Sequence, residues 1–153
     1  ACPISAMDVL DDLLTKEGET PLDETSARSH DNQRRIEYLF DNDDFNLPDS
    51  ERPDCHRTKK HTYTDVYGRM FPDEPSQTIT TGFLSPGRGR YIHPVLPRGL
   101  TLREGARLQS FPDDYQWYRR GKELHRNPLA ALIGDAVPPQ LGFTVGLMGL
   151  ALM

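Results

Sequence analysis

The last stretch of the chain limits what the rest can be. Pro138-Pro139 suit the first turn of a helix. Residues 141–153 that follow are nearly all apolar, with Gly142, Gly146 and Gly149 at i, i+4 and i+7. This spacing puts the three glycines on one face, where another element can approach the helix backbone closely. With the remaining positions apolar, such a helix expects burial on most sides. Its 13 residues fall short of the ~20 that a bilayer requires, so no membrane span is expected.

Other elements are marked less completely. Thr101 and Glu104 form a T-x-x-E capping box, which starts a helix that runs through Leu108 and Gln109 and stops before Pro112. Apolar residues at helical spacing (Ile4, Met7, Leu10, Leu14) predict one short helix over 4–14, and a further helical piece is expected around 34–40. The remainder of 15–60 is polar and rich in Asp, Glu, Arg and Pro, which predicts long loops. Residues 63–97 have strand character. Gln77-Thr-Ile-Thr-Thr81 is β-branched, Arg90-Tyr-Ile92 is similar, and Gly82 to Gly89 between them is dense in turn formers. The expected fold is therefore α+β: a small irregular β-sheet domain with long loops and flanking helices. At 153 residues it is one domain with a real core rather than two.

The formal charge of −5 conceals a division. Residues 1–51 hold 14 acidic and 4 basic side chains, whereas 52–153 hold 14 basic and 9 acidic. The basic half is either a surface for phosphates or an ordinary solvated face. Cys2 and Cys55 have no CxxC spacing, which argues against a disulfide framework and for a reducing, intracellular setting. Cys55, His56 and His61 match no zinc spacing, so no metal is expected. Ala1-Cys2-Pro3 leads into acidic residues, unlike a signal peptide. The start without Met suggests processing or excision from a longer chain.

Three pieces within 67–139 resemble the end of the DNA cytosine-5 methyltransferase family. Tyr67-Gly-Arg-Met-Phe-Pro-Asp-Glu-Pro-Ser-Gln-Thr-Ile-Thr-Thr-Gly-Phe83 with Gly89-Arg-Tyr-Ile-His-Pro94 is similar to the later part of the family's target recognition domain. Arg98-Gly-Leu-Thr-Leu-Arg-Glu-Gly-Ala-Arg-Leu-Gln-Ser-Phe-Pro-Asp113 resembles the ninth conserved motif, and Ile133-Gly-Asp-Ala-Val-Pro-Pro139 the tenth. The second string is the most specific: a capped amphipathic helix alone would account for Thr101, Glu104 and Leu108 but not for Arg98, Arg103, Gln109 and Phe111-Pro112 together. The resemblance divides the chain into an acidic lead-in over 1–60, a target-recognition portion with the ninth motif over 61–127, and the tenth motif with the C-terminal helix over 128–153. That helix would pack on a catalytic domain missing from this chain.

The resemblance implies double-stranded DNA as partner and S-adenosylmethionine as methyl donor. It places Arg69, Thr78, Ile79, Thr80, Arg88, Arg90, Arg98 and Arg103 as candidate DNA-binding residues, on phosphates or on guanine edges. Arg98 and Arg103 have an equal alternative, organising the domain through Glu104 and Asp113. Asp135, Ala136 and Val137 would lie beside the methyl donor, and only with the catalytic domain in place. The family's tenth motif usually reads Gln-x-Gly-Asn where this chain has Leu132-Ile-Gly-Asp135. An acceptor-only anion thus replaces an amide that both donates and accepts. Gly105 also departs from helix-forming preference.

Methylating cytosine C5 needs a thiolate to attack C6, an acid near N3, and a base flipped out of the stack. In the family these groups lie in Pro-Cys-Gln and Glu-Asn-Val, neither of which occurs here. No catalytic residue is therefore expected, and the isolated chain should be inactive. It reads as the recognition piece of a methyltransferase, working with a catalytic half in the same longer chain or in a separate subunit. The alternatives are a non-catalytic DNA-binding module and a truncated homologue. An exposed C-terminal helix would favour dimers, and a bacterial cytoplasm fits this reading better than a nucleus.

Overall fold

The computed structural model describes residues 3–16, 18–57, 65–117 and 124–152. Ala1, Cys2 and His61, named above, lie outside them, as do residues 63 and 153 at the ends of two stretches read above. The described helices are α1 (Ala6–Leu10), α2 (His30–Asp41), α3 (Asp54–Arg57), α4 (Leu102–Leu108), α5 (Arg126–Asp135) and α6 (Pro139–Ala151). Each boundary has a local cause. Ser5 and Asp8 form a capping box at α1, which tightens after Leu10 into a 3-10 turn over Asp11–Leu13. Ser29 caps α2 by accepting the Asn32 N–H. Thr101 and Glu104 cap α4 as their spacing predicts, with the Thr101 N–H donating to Glu104 Oε2 at 2.8 Å.

Helix α4 is the hub, packing against both α1 and α5. Leu10, Phe83, Leu102 and Ile133 are fully buried in the cluster this creates. Gly105, a poor helix former, has a packing reason: the Phe83 ring occupies the space that a β-carbon would take. A second cluster gathers Ile36 and Leu39 of α2 with Leu47, Tyr67 and Ile92. Helix α5 was not expected from the sequence, and it inserts Leu129, Ala130 and Ile133 into the main core.

The expected β-sheet is overturned. The described residues contain no strand, only two isolated bridges, Arg69 with Ile92 (parallel) and Ile92 with Gly99 (antiparallel). The physical reason is visible at residues 78–80, where the carbonyls that a ladder would use are taken by other groups. Tyr91 O–H donates to the Thr78 carbonyl at 2.9 Å and Gln109 Nε2 to that of Ile79 at 3.4 Å. The Phe83 N–H turns back onto the Thr80 carbonyl at 3.1 Å. Side chains and a turn thus satisfy a β-branched segment without a neighbouring strand. The architecture is helical and loop-rich rather than α+β.

No described helix is long and apolar enough to cross a membrane. Helix α6 has no buried residue; Phe143, Met148 and Leu150 are each more than 60% exposed. It is tied to the body at its start, where the Gln140 N–H donates to Ser110 Oγ at 3.2 Å.

Candidate nucleic-acid interface

The charge division is resolved largely inside the molecule. Arg107 pairs with Asp12 and Asp113, Arg103 with Asp23, Arg69 with Asp43 and Arg126 with Glu24. Acidic residues of the first half therefore neutralise arginines of the second. The Arg107 hydrogen bonds hold the carboxyls of Asp12 and Asp113 below the ordinary range. Burial pushes Asp23 upward, but hydrogen bonds from Arg103 and Thr20 outweigh it and lower its pKa.

Four of the five candidate arginines are anchored in this way. Arg90 is buried and donates to the carbonyls of Phe45 and Arg69 at 2.8 Å, to Asn46 and to Asp65, with its guanidinium over the Phe71 ring. Arg69 donates to the Pro94 carbonyl at 2.7 Å and lies over the rings of Phe40 and Phe45. Arg98 meets Glu104 through two hydrogen bonds of 2.9 and 2.7 Å in a fully buried fork. Arg103 holds Asp23 and Thr20, not Asp113.

Arg88 is the exception. It is exposed, and although its backbone N–H donates to the Ser85 carbonyl at 3.1 Å, its guanidinium has no hydrogen bond or ion pair among the described residues. The loop that carries it is firmly held. The Tyr67 N–H donates to the Pro86 carbonyl at 2.9 Å, and Tyr67 itself sits at φ 62°, a strained left-handed conformation for an aromatic residue. The stem of Arg88 lies across Gly82, where an added β-carbon would meet its Cδ at 2.7 Å.

Two open clefts adjoin Arg88. One, of about 480 Å³, includes Asp65, Gln77, Thr78, Thr80 and Tyr91. Thr78 and Thr80 are exposed there while Ile79 is buried, so the three candidates do not share one face. Tyr91 Oη lies 3.0 Å from Thr80 Oγ1 and fixes the threonine at the rim. The other cleft, of about 470 Å³, includes Ser26, Arg28, Ser29 and Asn127. Sequence reasoning named neither Gln77 nor Arg28 as a site residue. Gln77 adjoins the quoted Thr78, whereas Arg28 reaches the cleft only through folding.

Asp135 is exposed at the end of α5, Val137 is 67% exposed, and the Ala136 carbonyl accepts from Gln109 at 3.4 Å. Neither cleft includes these three residues, and by themselves they do not enclose a small molecule. Cys55 is exposed, and no group of three or more His, Cys, Asp or Glu among the described residues could hold a metal ion.

A family model described as C-5 cytosine-specific DNA methylase matches residues 6–147. The chain is 46% identical over 138 residues to Type II methyltransferase M1.BsuMI of Bacillus subtilis (strain 168), covering 90% of this chain and 31% of that protein. It is 38% identical over 113 residues to Type II methylase M.HgiDII of Herpetosiphon aurantiacus, covering 72% and 32%. Mouse (Mus musculus) DNA (cytosine-5)-methyltransferase 1 is 35% identical over 94 residues, 60% of this chain and 6% of that protein. The chain thus spans about a third of the length of the first two relatives.

Proposed function

The chain belongs to the C-5 cytosine-specific DNA methylase family, and from that premise we propose that it is the DNA-recognising portion of a cytosine-5 methyltransferase. The observation that carries this reading is the contrast between Arg88 and the other candidate arginines. Arg69, Arg90, Arg98 and Arg103 hold the framework, and Arg88 alone among them is presented unpaired beside exposed Thr78 and Thr80. Cations fixed by carboxylates would release few counterions on a duplex, whereas an unpaired guanidinium can engage a phosphate or a guanine edge. In this reading Arg88, Thr78 and Thr80 meet DNA, and Ile79, Arg69, Arg90, Arg98 and Arg103 position them.

The methyl transfer itself belongs to a catalytic half, in the same longer chain or in a separate subunit. Pro-Cys-Gln and Glu-Asn-Val are absent here, and the relatives extend well beyond the matched part. Helix α6, exposed on all sides, is the surface offered to that half. S-adenosylmethionine supplies the methyl group when bound, and Asp135, Ala136 and Val137 would form one edge of its site once the catalytic half is seated. The division is a lead-in over 1–60, a recognition portion over 61–127 and a closing portion over 128–153. A non-catalytic DNA-binding module is the second reading, favoured by Asp135 where the family carries Asn.

Reconstitution tests the assignment. Methyl transfer to duplex DNA should appear only when the chain is mixed with a methyltransferase catalytic half. Activity of that half without the chain, or no complex between them, would overturn it.

A further inference from the structure

We infer that the cleft bounded by Arg28, Ser29, Ser85, Arg88 and Asn127 is a seat for a backbone phosphate of a nucleic-acid strand, away from the Thr78–Thr80 rim. The inference rests on the DNA reading above and adds a site to it. In a chain of net charge −5, this cleft of about 470 Å³ is lined by two arginines and by hydroxyl and amide groups, with no carboxylate among the described residues of its walls. Asp31, in the adjoining turn of α2, is exposed and does not line it.

The charge placement follows from the fold. The guanidinium of Arg88 has no hydrogen-bond or ion-pair partner among the described residues. Arg28 is held in position by a hydrogen bond of 3.3 Å to the Pro97 carbonyl. The first turns of α2 and α5 both contribute, through Ser29 and Asn32 from one and Asn127 from the other. Their positive dipole ends add to a field already set by the two guanidinium groups. A phosphodiester suits this set: it is a monoanion that accepts from guanidinium, hydroxyl and amide donors together. A guanine edge needs only one arginine fork, whereas a phosphodiester can also accept from the serine and asparagine groups that line this cleft. The seat therefore contributes affinity and register, and no sequence preference.

The test is binding of the full chain to a fluorescent DNA duplex over a range of salt concentrations. Asn127→Asp is the informative variant, because an acid in the first turn of α5 favours the helix while placing a negative charge in the cleft. The thermal midpoint should hold or rise while affinity falls several-fold, equally for duplexes of different sequence. Arg88→Gln should flatten the slope of log K against log salt by about 0.9 for each lost phosphate. Arg34→Gln, an equal change of charge outside the cleft, should leave the slope unchanged. Normal salt-dependent binding by N127D with binding weakened in R88Q would overturn the seat and leave the DNA reading standing, whereas normal binding by both variants would overturn the seat and the role of Arg88 in that reading. No duplex binding by the unaltered chain would overturn both. Inorganic phosphate bound in calorimetry and lost in N127D, with duplex binding unaffected by either variant, would make it a free-anion site and overturn the assignment to nucleic acid.

Discussion

Gly134 of α5 lies against the backbone of Thr80 with no room for a side-chain carbon between them. The closing portion of the chain is thereby pressed onto the segment that carries the threonine rim. Glycine inside a helix ordinarily costs up to about 1 kcal/mol relative to alanine. Here the order reverses: Gly134→Ala should destabilise by about 1–3 kcal/mol through overpacking. Thermal unfolding followed by circular dichroism reads the sign, and a raised midpoint would refute the contact.

Gln109 makes the second tie between the same segments. Its Nε2 donates to Ile133 O at 3.0 Å and lies 3.4 Å from both Ile79 O and Ala136 O. Gln109→Leu keeps the bulk but leaves buried carbonyls unmatched, at about 1–3 kcal/mol. Gln109→Glu should be worse, since it sets a carboxylate among carbonyl oxygens. Urea denaturation should show the midpoints falling in that order with unchanged m.

His93 predicts how stability depends on pH. It is wholly buried, and its Nδ1 accepts the N–H groups of Val95 and Leu96 at 3.1 Å each. Its Nε2 lies 3.6 Å from Glu104 Oε1. Burial lowers its pKa from 6.5 to about 4, against the opposing pull of Glu104. Between those values the unfolded chain binds the proton and the folded chain does not. Stability is therefore full above pH 6.5 and falls as pH drops toward 4, by about 3 kcal/mol in all. The carboxyls of Asp12, Asp23, Asp65 and Asp113 are lowered below 3.8, so their losses begin at lower pH. His93→Asn offers an acceptor in place of Nδ1 without titrating. Equilibrium unfolding of this variant should lose the slope in that window; an unchanged slope would mean that another group carries it.

Helix α6 contributes no buried residue to this chain. Changing Leu141, Phe143, Leu147 and Leu150 together to Gln should alter stability by no more than about 0.5 kcal/mol per site. The same change should convert a self-associating chain into a monomer on light scattering and abolish assembly with a catalytic half. Unfolding on substitution would show that the helix is part of the core.

Local signals were legible and long-range ones were not. The Thr101–Glu104 box and the Pro138-Pro139 start act over three or four residues, and both helices are where spacing places them. Helix α5 has a weak sequence signal, since it contains Pro128 and Gly134 and only Leu129, Ala130 and Ile133 are buried. The β-branched run at 77–81 suggested a strand, but its carbonyls are claimed by Tyr91 and Gln109, up to 30 positions away. The arginines looked like a basic surface for the same reason: Asp12 meets Arg107 across 95 positions and Asp23 meets Arg103 across 80. Such pairings depend on the fold and leave no trace in spacing.

As the proposed recognition portion, this chain is expected to choose the DNA site. The most direct measurement reconstitutes one catalytic half twice, once with this chain and once with the matching portion of M.HgiDII, and maps the methylated cytosines by sequencing. The methylated sequence should change with the recognition piece. Methylation of the same sites in both mixtures, or methyl transfer supported by the relative's portion and not by this chain, would contradict it.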